Sequence, residues 1–386
     1  MARTTCTLVL TPVDVLMFRD SRPFDTGGEA KSIFPLPQTV DGAVRRWLMD
    51  CFDVSADDVW KNCDKDSNRP RRELFREAMP EDRRWIHDIF LDGPFLERSR
   101  CIYLPVPRHM MYCEDDETLV PSLPLDDKNG FSLPRVTSNG LLPQSVPPLW
   151  VDSKRDFTFL PGWMEENTVN SILQGGLANG VLNRRDCILP DSDFFLPEAR
   201  VRTALDAETG HAADGLLFTT VFMRLREHVG LRLGISSGDE NLVSNLIFAA
   251  EKTPWITLGG EKRVVMVEVR NEPPLSDDGQ AGDADRLITY MATPGLFYSP
   301  YPKNVVEQGW WLCGAATGDP LPVSGWNSGS KLPRKTRYAT RAGAIYFWKK
   351  NRDDANMPIH VCADPRDNRV GWGRMLRGGS WNYYAG

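Results

Sequence analysis

The chain has 386 residues, 41% of them hydrophobic and 25% charged, with a formal net charge of −6. That composition describes a globular protein able to bury a sizeable core, in two domains or two fused halves. It excludes a uniformly basic nucleic-acid binder. No apolar run reaches the length of a membrane span, and the N-terminus lacks the pattern of a secretory signal, which points to the cytoplasm and away from membranes. The charge is unevenly spread. Residues 331–386 carry 12 Lys+Arg against 4 Asp+Glu, net +8, which leaves 34 against 48, net −14, for residues 1–330. Such a chain can bind RNA locally and repel it elsewhere; the alternative is an ordinary solvated surface. The eight cysteines include no CxxC pair, so reduced thiols are expected, with no metal and no cofactor.

The alternating run closed by Leu8, Leu10 and Pro12 predicts a strand. Gly27 and Gly28 allow a loop its unusual backbone angles, and Pro35 and Pro37 stiffen its exit. Thr39 is placed to cap a helix whose apolar positions Val40, Val44, Trp47, Leu48 and Cys51 share one face, with Arg45 and Arg46 mostly off it. A helix N-terminus behind a Gly- and Lys-bearing loop offers a place for an anionic oxygen; the alternative is a structural loop packed on the sheet. Residues 54–92 alternate charged and apolar residues and predict a helical insertion, in which His87 reads as a surface or satisfied histidine. Residues 93–107 predict a hairpin closed by Glu97–Arg100. Residues 114–150 combine EDDE with prolines from Pro121 to Pro148 and predict an extended excursion.

A short helix is expected around Glu165–Leu173, stopped at Gly175–Gly176. Two strands joined by a polar loop follow within 200–224, then a third at Leu231–Ile235. Ser237 is placed to cap a helix with Leu242, Leu246, Ile247 and Ala250 on its buried face. Gly259–Gly260 then allow a close backbone approach, read either as a ligand contact or as a tight turn packed under the helix. Strands are expected at Val264–Val269, Leu287–Ala292 and Trp310–Ala315. Near the end, glycines at 371, 373, 378 and 379 stand beside Arg374 and Arg377, a pattern that lets backbone N–H groups meet phosphates. It is neither a P-loop nor a dinucleotide fingerprint. With no run of βαβ units, the pattern reads as α+β.

Several segments carry a resemblance. FRDSRPF at 18–24 and AKSIFPLPQTVDGAVRRWL from 30 resemble the opening of the RAMP-superfamily subunit that binds the CRISPR RNA 5′ handle in type III-B (Cmr) effector complexes. Ser32, Phe34, Pro35, Pro37, Thr39, Gly42, Ala43 and Arg45 fall into that pattern, and Leu36 stands where a second Pro is common. GPFL at 93–96, the segment 200–218, LGGEKR at 258–263, the stretch 324–348 and NRVGWGRMLRGGSW at 368–381 continue it in order. Phe218 departs from the usual Tyr, and Ala344 from the usual Ser.

The resemblance implies two ferredoxin-like (RRM-like) halves, 1–165 and 166–386, with a helical insertion and a Pro-rich thumb. It implies a non-catalytic subunit that grips the 5′ handle of the CRISPR RNA. The partners it implies are that RNA, a large polymerase/cyclase-like subunit and the backbone RAMP subunit. RNA contacts are then expected from Arg22, Lys31, Ser32, Gln38, Thr39, Gly42, Arg45 and Arg46, and from Arg108, His109 and Met110 at the base of the thumb. Gly259, Gly260, Arg341, Gly371, Trp372, Gly373, Arg374, Arg377 and Gly378 complete the expected set. The loop 22–46 and the glycine-rich end 371–379 are expected to converge on one stretch of RNA, with Trp372 as a stacking platform. Two rivals stand beside this reading. One is a metal-independent endoribonuclease of the same superfamily, which needs a histidine base among 87, 109, 211, 228 and 360. The other is a small-molecule enzyme using Asp206 or Glu208.

Overall fold

Cys6, Leu8 and Leu10 face one way from the strand Thr4–Pro12, and Thr7 and Val9 face the other; all five are buried. A strand covered on both faces belongs inside a sheet. This one pairs antiparallel with Val229–Ser237 on one side and Arg263–Arg270 on the other. The computed structural model describes residues 4–19, 30–63, 69–125, 146–151, 155–175, 182–205, 212–275, 284–327 and 332–382. They form two units that interleave along the chain. The first is Met1–Pro94, Phe194–Pro274 and Arg369–Gly371; the second is Phe95–Asp193, Leu275–Asn368 and Trp372–Gly386. Residue 165, the boundary expected from sequence, falls inside the second unit.

In the first unit Trp255–Leu258 pairs with Arg263–Arg270, and Asp92 of the strand Phe90–Arg98 lies beside Gly234 of Val229–Ser237. Two helices, Pro37–Cys51 and Leu242–Lys252, cover the Cys6–Leu8–Leu10 face. Val40, Val44, Trp47 and Leu48 meet Leu246 and Ala249 in one apolar core. Polar bonds fix the helix ends. Trp47 Nε1 donates to Thr253 O at 2.9 Å, and Lys252 Nζ donates to the carbonyl of Cys51 at 2.6 Å.

Both expected caps are corrected. The first helix begins at Pro37, whose fixed φ and missing N–H suit a first helical position; Leu36 precedes it, and Thr39 lies within the first turn. Ser237 instead accepts from Asp239 N, Asp239 accepts from Asn241 N, and these local turns delay the helix to Leu242. Its buried face is consequently Leu242, Leu246 and Ala249, and Ile247 is exposed. The insertion is helical, as expected, with helices Ala56–Lys61, Arg71–Ala78 and Arg84–Asp88. A long hairpin, Phe195–Leu205 with Ala212–Leu225, completes the unit; its loop 206–211, with Asp206, Glu208 and His211, lies outside the described residues.

In the second unit alternation decides the layering. The strands Trp310–Ala316, Ile345–Lys350, Arg286–Met291 and Met375–Arg377 lie side by side in that order, all antiparallel. Ile288, Tyr290, Ile345, Phe347 and Leu376 face one core; Leu287, Met291, Tyr346, Trp348 and Met375 face another. The helix Glu166–Leu173 packs its Val169, Ile172 and Leu173 into the first of these and stops at Gly175, whose φ is +72°. The hairpin expected at 93–107 is present: Arg98 pairs with Cys101, and Ser99 and Arg100 turn with φ of 52° and 71°. Of the proline-rich excursion, Thr118–Pro121 pairs with Met110–Cys113 and Leu123–Pro124 with Leu149–Trp150; residues 126–145 lie outside the described residues. The protein is thus a mixed helix-and-sheet fold dominated by antiparallel strands.

Candidate nucleic-acid interface

Most of the residues expected to meet RNA in the first unit are engaged in holding the fold. Arg45 donates to Asp41 Oδ1 at 2.7 Å and to the carbonyls of Ile86, His87 and Ile89 at 2.7–2.9 Å. Those carbonyls end the short helix Arg84–Asp88, so Arg45 caps it from across the unit. Ser32 Oγ accepts from Phe18 N, and Gln38 has a partner of its own. Thr39 N–H donates to Leu36 O, and Pro37 has no N–H, so this helix start presents few donors to an anion. Gly259 lies against Met17, where an added Cβ would stand 2.4 Å from the Met17 carbonyl, and Gly260 N donates to that same oxygen. These two glycines form the packed turn. Gly42 and Arg46 are exposed on the helix, Arg46 beside Asp50 at 2.9 Å. Lys31 forms a two-residue strand against Val221, and Arg22 lies outside the described residues.

The glycine-rich end is also corrected. Trp372 is fully buried and offers no face to a base. The N–H groups of Trp372, Gly373, Gly378 and Gly379 donate to Asp367 O, Pro294 O, Ile288 O and Leu173 O, and that of Arg374 donates to Thr293 Oγ1. These backbone donors are occupied inside the unit. Gly373 and Gly378 are glycines because a Cβ would strike Cys362 Sγ at 2.6 Å and Leu173 O at 2.5 Å. Gly371 falls in the first unit, 2.6 Å from the Gly93 carbonyl by the same measure and 3.3 Å from Pro37 Cβ, so that single glycine does meet the start of the first helix. Arg374 is buried, and Arg377 is half-buried and partnered. Trp47 and Trp381 belong to the apolar cores of the first and second units respectively.

His109 and Met110, expected at the base of the thumb, are buried as well. His109 packs edge-on against Phe347, and burial pushes its pKa down to about 3. His87 is buried beside Asp88 and accepts from Arg72 Nε at 3.2 Å; burial and the Arg72 charge bring its pKa to about 4. Both rings are neutral at pH 7.

Arg108 and Arg341 are different. They are 233 positions apart in sequence, and both belong to the second unit. Arg108 N donates to Gly343 O at 2.9 Å, which ties the turn bearing Arg108 to the segment bearing Arg341. The Arg108 guanidinium lies over the Phe159 ring, 4.8 Å from its centroid. Gly318, with φ of +64°, packs directly against the guanidinium, and a Cβ there would strike Arg108 Nη1. Arg108 Nε is buried without a hydrogen-bond partner. Arg341 Nε donates to the Asp319 carbonyl at 3.0 Å. Burial, and after it the Arg341 charge, hold the Arg108 guanidinium below its ordinary pKa, with Asp319 acting in the opposite sense. Phe159 and Gly318 carry no signal of their own in the sequence beyond the T-G-D-P turn at 317–320. Among the described residues, no group of three or more His, Cys, Asp or Glu is placed to hold a metal ion. No described helix is long and apolar enough to cross a membrane.

The described residues define a mixed helix-and-sheet protein dominated by antiparallel strands. The family model described as CRISPR-associated protein (Cas_Cmr3) matches residues 8–380. The chain belongs to this family, which bears out the resemblance to the RAMP-like subunit of type III-B complexes. No curated protein matches it by sequence. Among solved structures, it is similar to a chain of the type III-B Cmr-beta complex bound to cognate target RNA and AMPPnP, with 16% identity over 88% of this chain and 86% of that one, TM-score 0.43. It is also similar to a chain of the Csm3–Csm4 subcomplex of the type III-A CRISPR-Cas interference complex, with 12% identity over 98% and 99%, TM-score 0.41. A chain of the Csm1–Csm4 cassette with AMPPNP gives 12% identity over 100% of both, TM-score 0.35.

Proposed function

We propose that this subunit of a type III CRISPR effector is its non-catalytic RNA-binding part. It grips the 5′ handle of the CRISPR RNA and docks the large polymerase/cyclase-like subunit onto the backbone subunits, in the cytoplasm. The observation that carries the reading is the family match across residues 8–380. The chain order of the first unit supports the ferredoxin-like reading. With other elements between them in the chain, Thr4–Pro12, Pro37–Cys51, Phe90–Arg98, Val229–Ser237, Leu242–Lys252 and Arg263–Arg270 give a strand, a helix, two strands, a second helix and a last strand, with Thr4–Pro12 between Val229–Ser237 and Arg263–Arg270. The endoribonuclease reading gains no support from His87 or His109, both buried and neutral.

The test is coexpression with the partner subunits and sequencing of the RNA that copurifies. Enrichment of a common 5′ end, lost when this subunit is omitted, is the expected result. Random RNA ends would overturn handle recognition. Cleavage of handle-bearing RNA by the purified chain would overturn the non-catalytic assignment.

A further inference from the structure

The strand Trp255–Leu258 is the last of its sheet, and among the described residues it pairs only with Arg263–Arg270. Val267 N donates to Pro254 O, which sets the alternation of the ladder. Ile256 and Leu258 therefore turn their backbone groups to Arg263–Arg270, and Trp255 and Thr257 turn theirs outward. Among the described residues, no hydrogen bond from outside the ladder meets those two N–H and two C=O groups. The strand reads Trp-Ile-Thr-Leu, with no charge, proline or bulge to discourage pairing.

The sheet face beside this edge is bare as well. Ile256, Leu258 and Val265 point into the core under the helices Pro37–Cys51 and Leu242–Lys252. On the opposite face Trp255 stands across from Met266 and Thr257 across from Val264, with Thr11 and Val13 next to them on the neighbouring strand. All six are exposed, Trp255 by 50% and Met266 by 42%, and none is charged. Farther along the same face the chain covers itself: Thr7 Oγ1 donates to Glu272 O, and Arg232 Nη2 donates to Pro273 O. That cover leaves the Trp255–Met266 end open. An uncharged patch holding Trp and Met suits an apolar partner surface, and unpaired edge groups suit an extended strand. A second copy of this chain does not fit. The helix Pro37–Cys51 packs over this edge strand. A two-fold copy would set two such helices over strands about 4.8 Å apart, whereas packed helices need about 8–10 Å.

We propose that the edge Trp255–Leu258 accepts one extended segment of another subunit of the effector as an added strand, with apolar side chains over Trp255 and Met266. Pro254 and the turn at Gly259 bound the edge and limit the pairing to the four residues of the strand. This rests on the docking part of the proposed function.

The test coexpresses the full chain with the large and backbone subunits and follows amide hydrogen exchange across residues 254–268, in the isolated chain and in the purified complex. Exchange at Trp255 and Thr257 should be fast in the chain alone and slow about tenfold or more on assembly. Thr257→Pro removes one outward N–H and no bond of the chain's own sheet. It should weaken association about tenfold. Met266→Glu puts a charge into the covered patch and should weaken association by about as much or more. Both variants should melt near the wild-type temperature, and Met266→Glu carries the test if Thr257→Pro does not fold. If the wild-type complex forms while these amides stay unprotected and Met266→Glu changes nothing, the edge site is overturned and the docking reading stands. If the wild-type chain joins no partner subunit, the docking reading falls and the edge site with it. Protection of these amides in the isolated chain at high concentration, together with a dimer in sedimentation, would overturn the assignment to another subunit in favour of a second copy.

Discussion

Arg45 shows how a residue can satisfy a sequence motif and still have an internal role. Its guanidinium is only 14% exposed and satisfies three carbonyls and Asp41. Arg45→Ala should therefore act on stability, by roughly 2–4 kcal/mol as several charge-assisted bonds are lost. A lowered urea midpoint with RNA affinity unchanged in the folded fraction is the expected pair of observations. Histidine 109 gives a pH prediction. Its pKa is near 3 in the fold and near 6.5 in the unfolded chain, so the unfolded state binds the proton more readily between these values. The stabilisation is complete above about 6.5 and is lost as pH falls toward 3. His87 acts in the same direction, toward about 4. Between pH 7 and 5, wild-type stability should fall by about 2 kcal/mol more than that of His109→Leu. Equal losses in chemical unfolding at the two pH values would contradict this.

Among the elements, the turn between Trp255–Leu258 and Arg263–Arg270 holds two adjacent non-glycine residues in left-handed angles. Gly259 has φ of +75°, and the next-but-one residues Glu261 and Lys262 have φ of +59° and +51°. Left-handed angles at residues with a Cβ cost about 1 kcal/mol each. Lys262→Gly should relieve part of this and raise stability by about 0.5–1 kcal/mol, net of the greater freedom of the unfolded chain. A rise in melting temperature checks it. Gly373→Ala should do the opposite. It adds a Cβ at φ of +69°, 2.6 Å from Cys362 Sγ, and a loss of roughly 2–4 kcal/mol is expected in the same measurement. Sequence reading found the glycines at both places. It could not tell whether each opens the backbone to a ligand or to its own neighbours, because that depends on which carbonyl lies opposite.

At the scale of the whole molecule, the +8 of residues 331–386 overstates what RNA can use. Arg337, Arg366 and Arg369 are paired with Asp367, Asp364 and Asp88. About two phosphate contacts are expected of the isolated chain, which gives a slope of log K against log salt near −1.4. A slope steeper than about −3 would mean that more of the basic end is exposed to RNA than the ion pairs allow. What the amino-acid sequence determined by itself was the local and the familial. Alternation marked the strands, apolar spacing marked the first helix, Glu97–Arg100 marked the close of a hairpin, and ordered motifs pointed to the Cas_Cmr3 family. These depend on short-range chemistry or on matched order, both legible along one dimension. Which arginine caps a helix and which packs on a ring was decided only by tertiary structure. Arg45 meets carbonyls about forty residues away, whereas Arg108 lies over the Phe159 ring, about fifty residues away. A guanidinium carries the same charge in either place, and only its three-dimensional neighbours determine whether that charge is already satisfied.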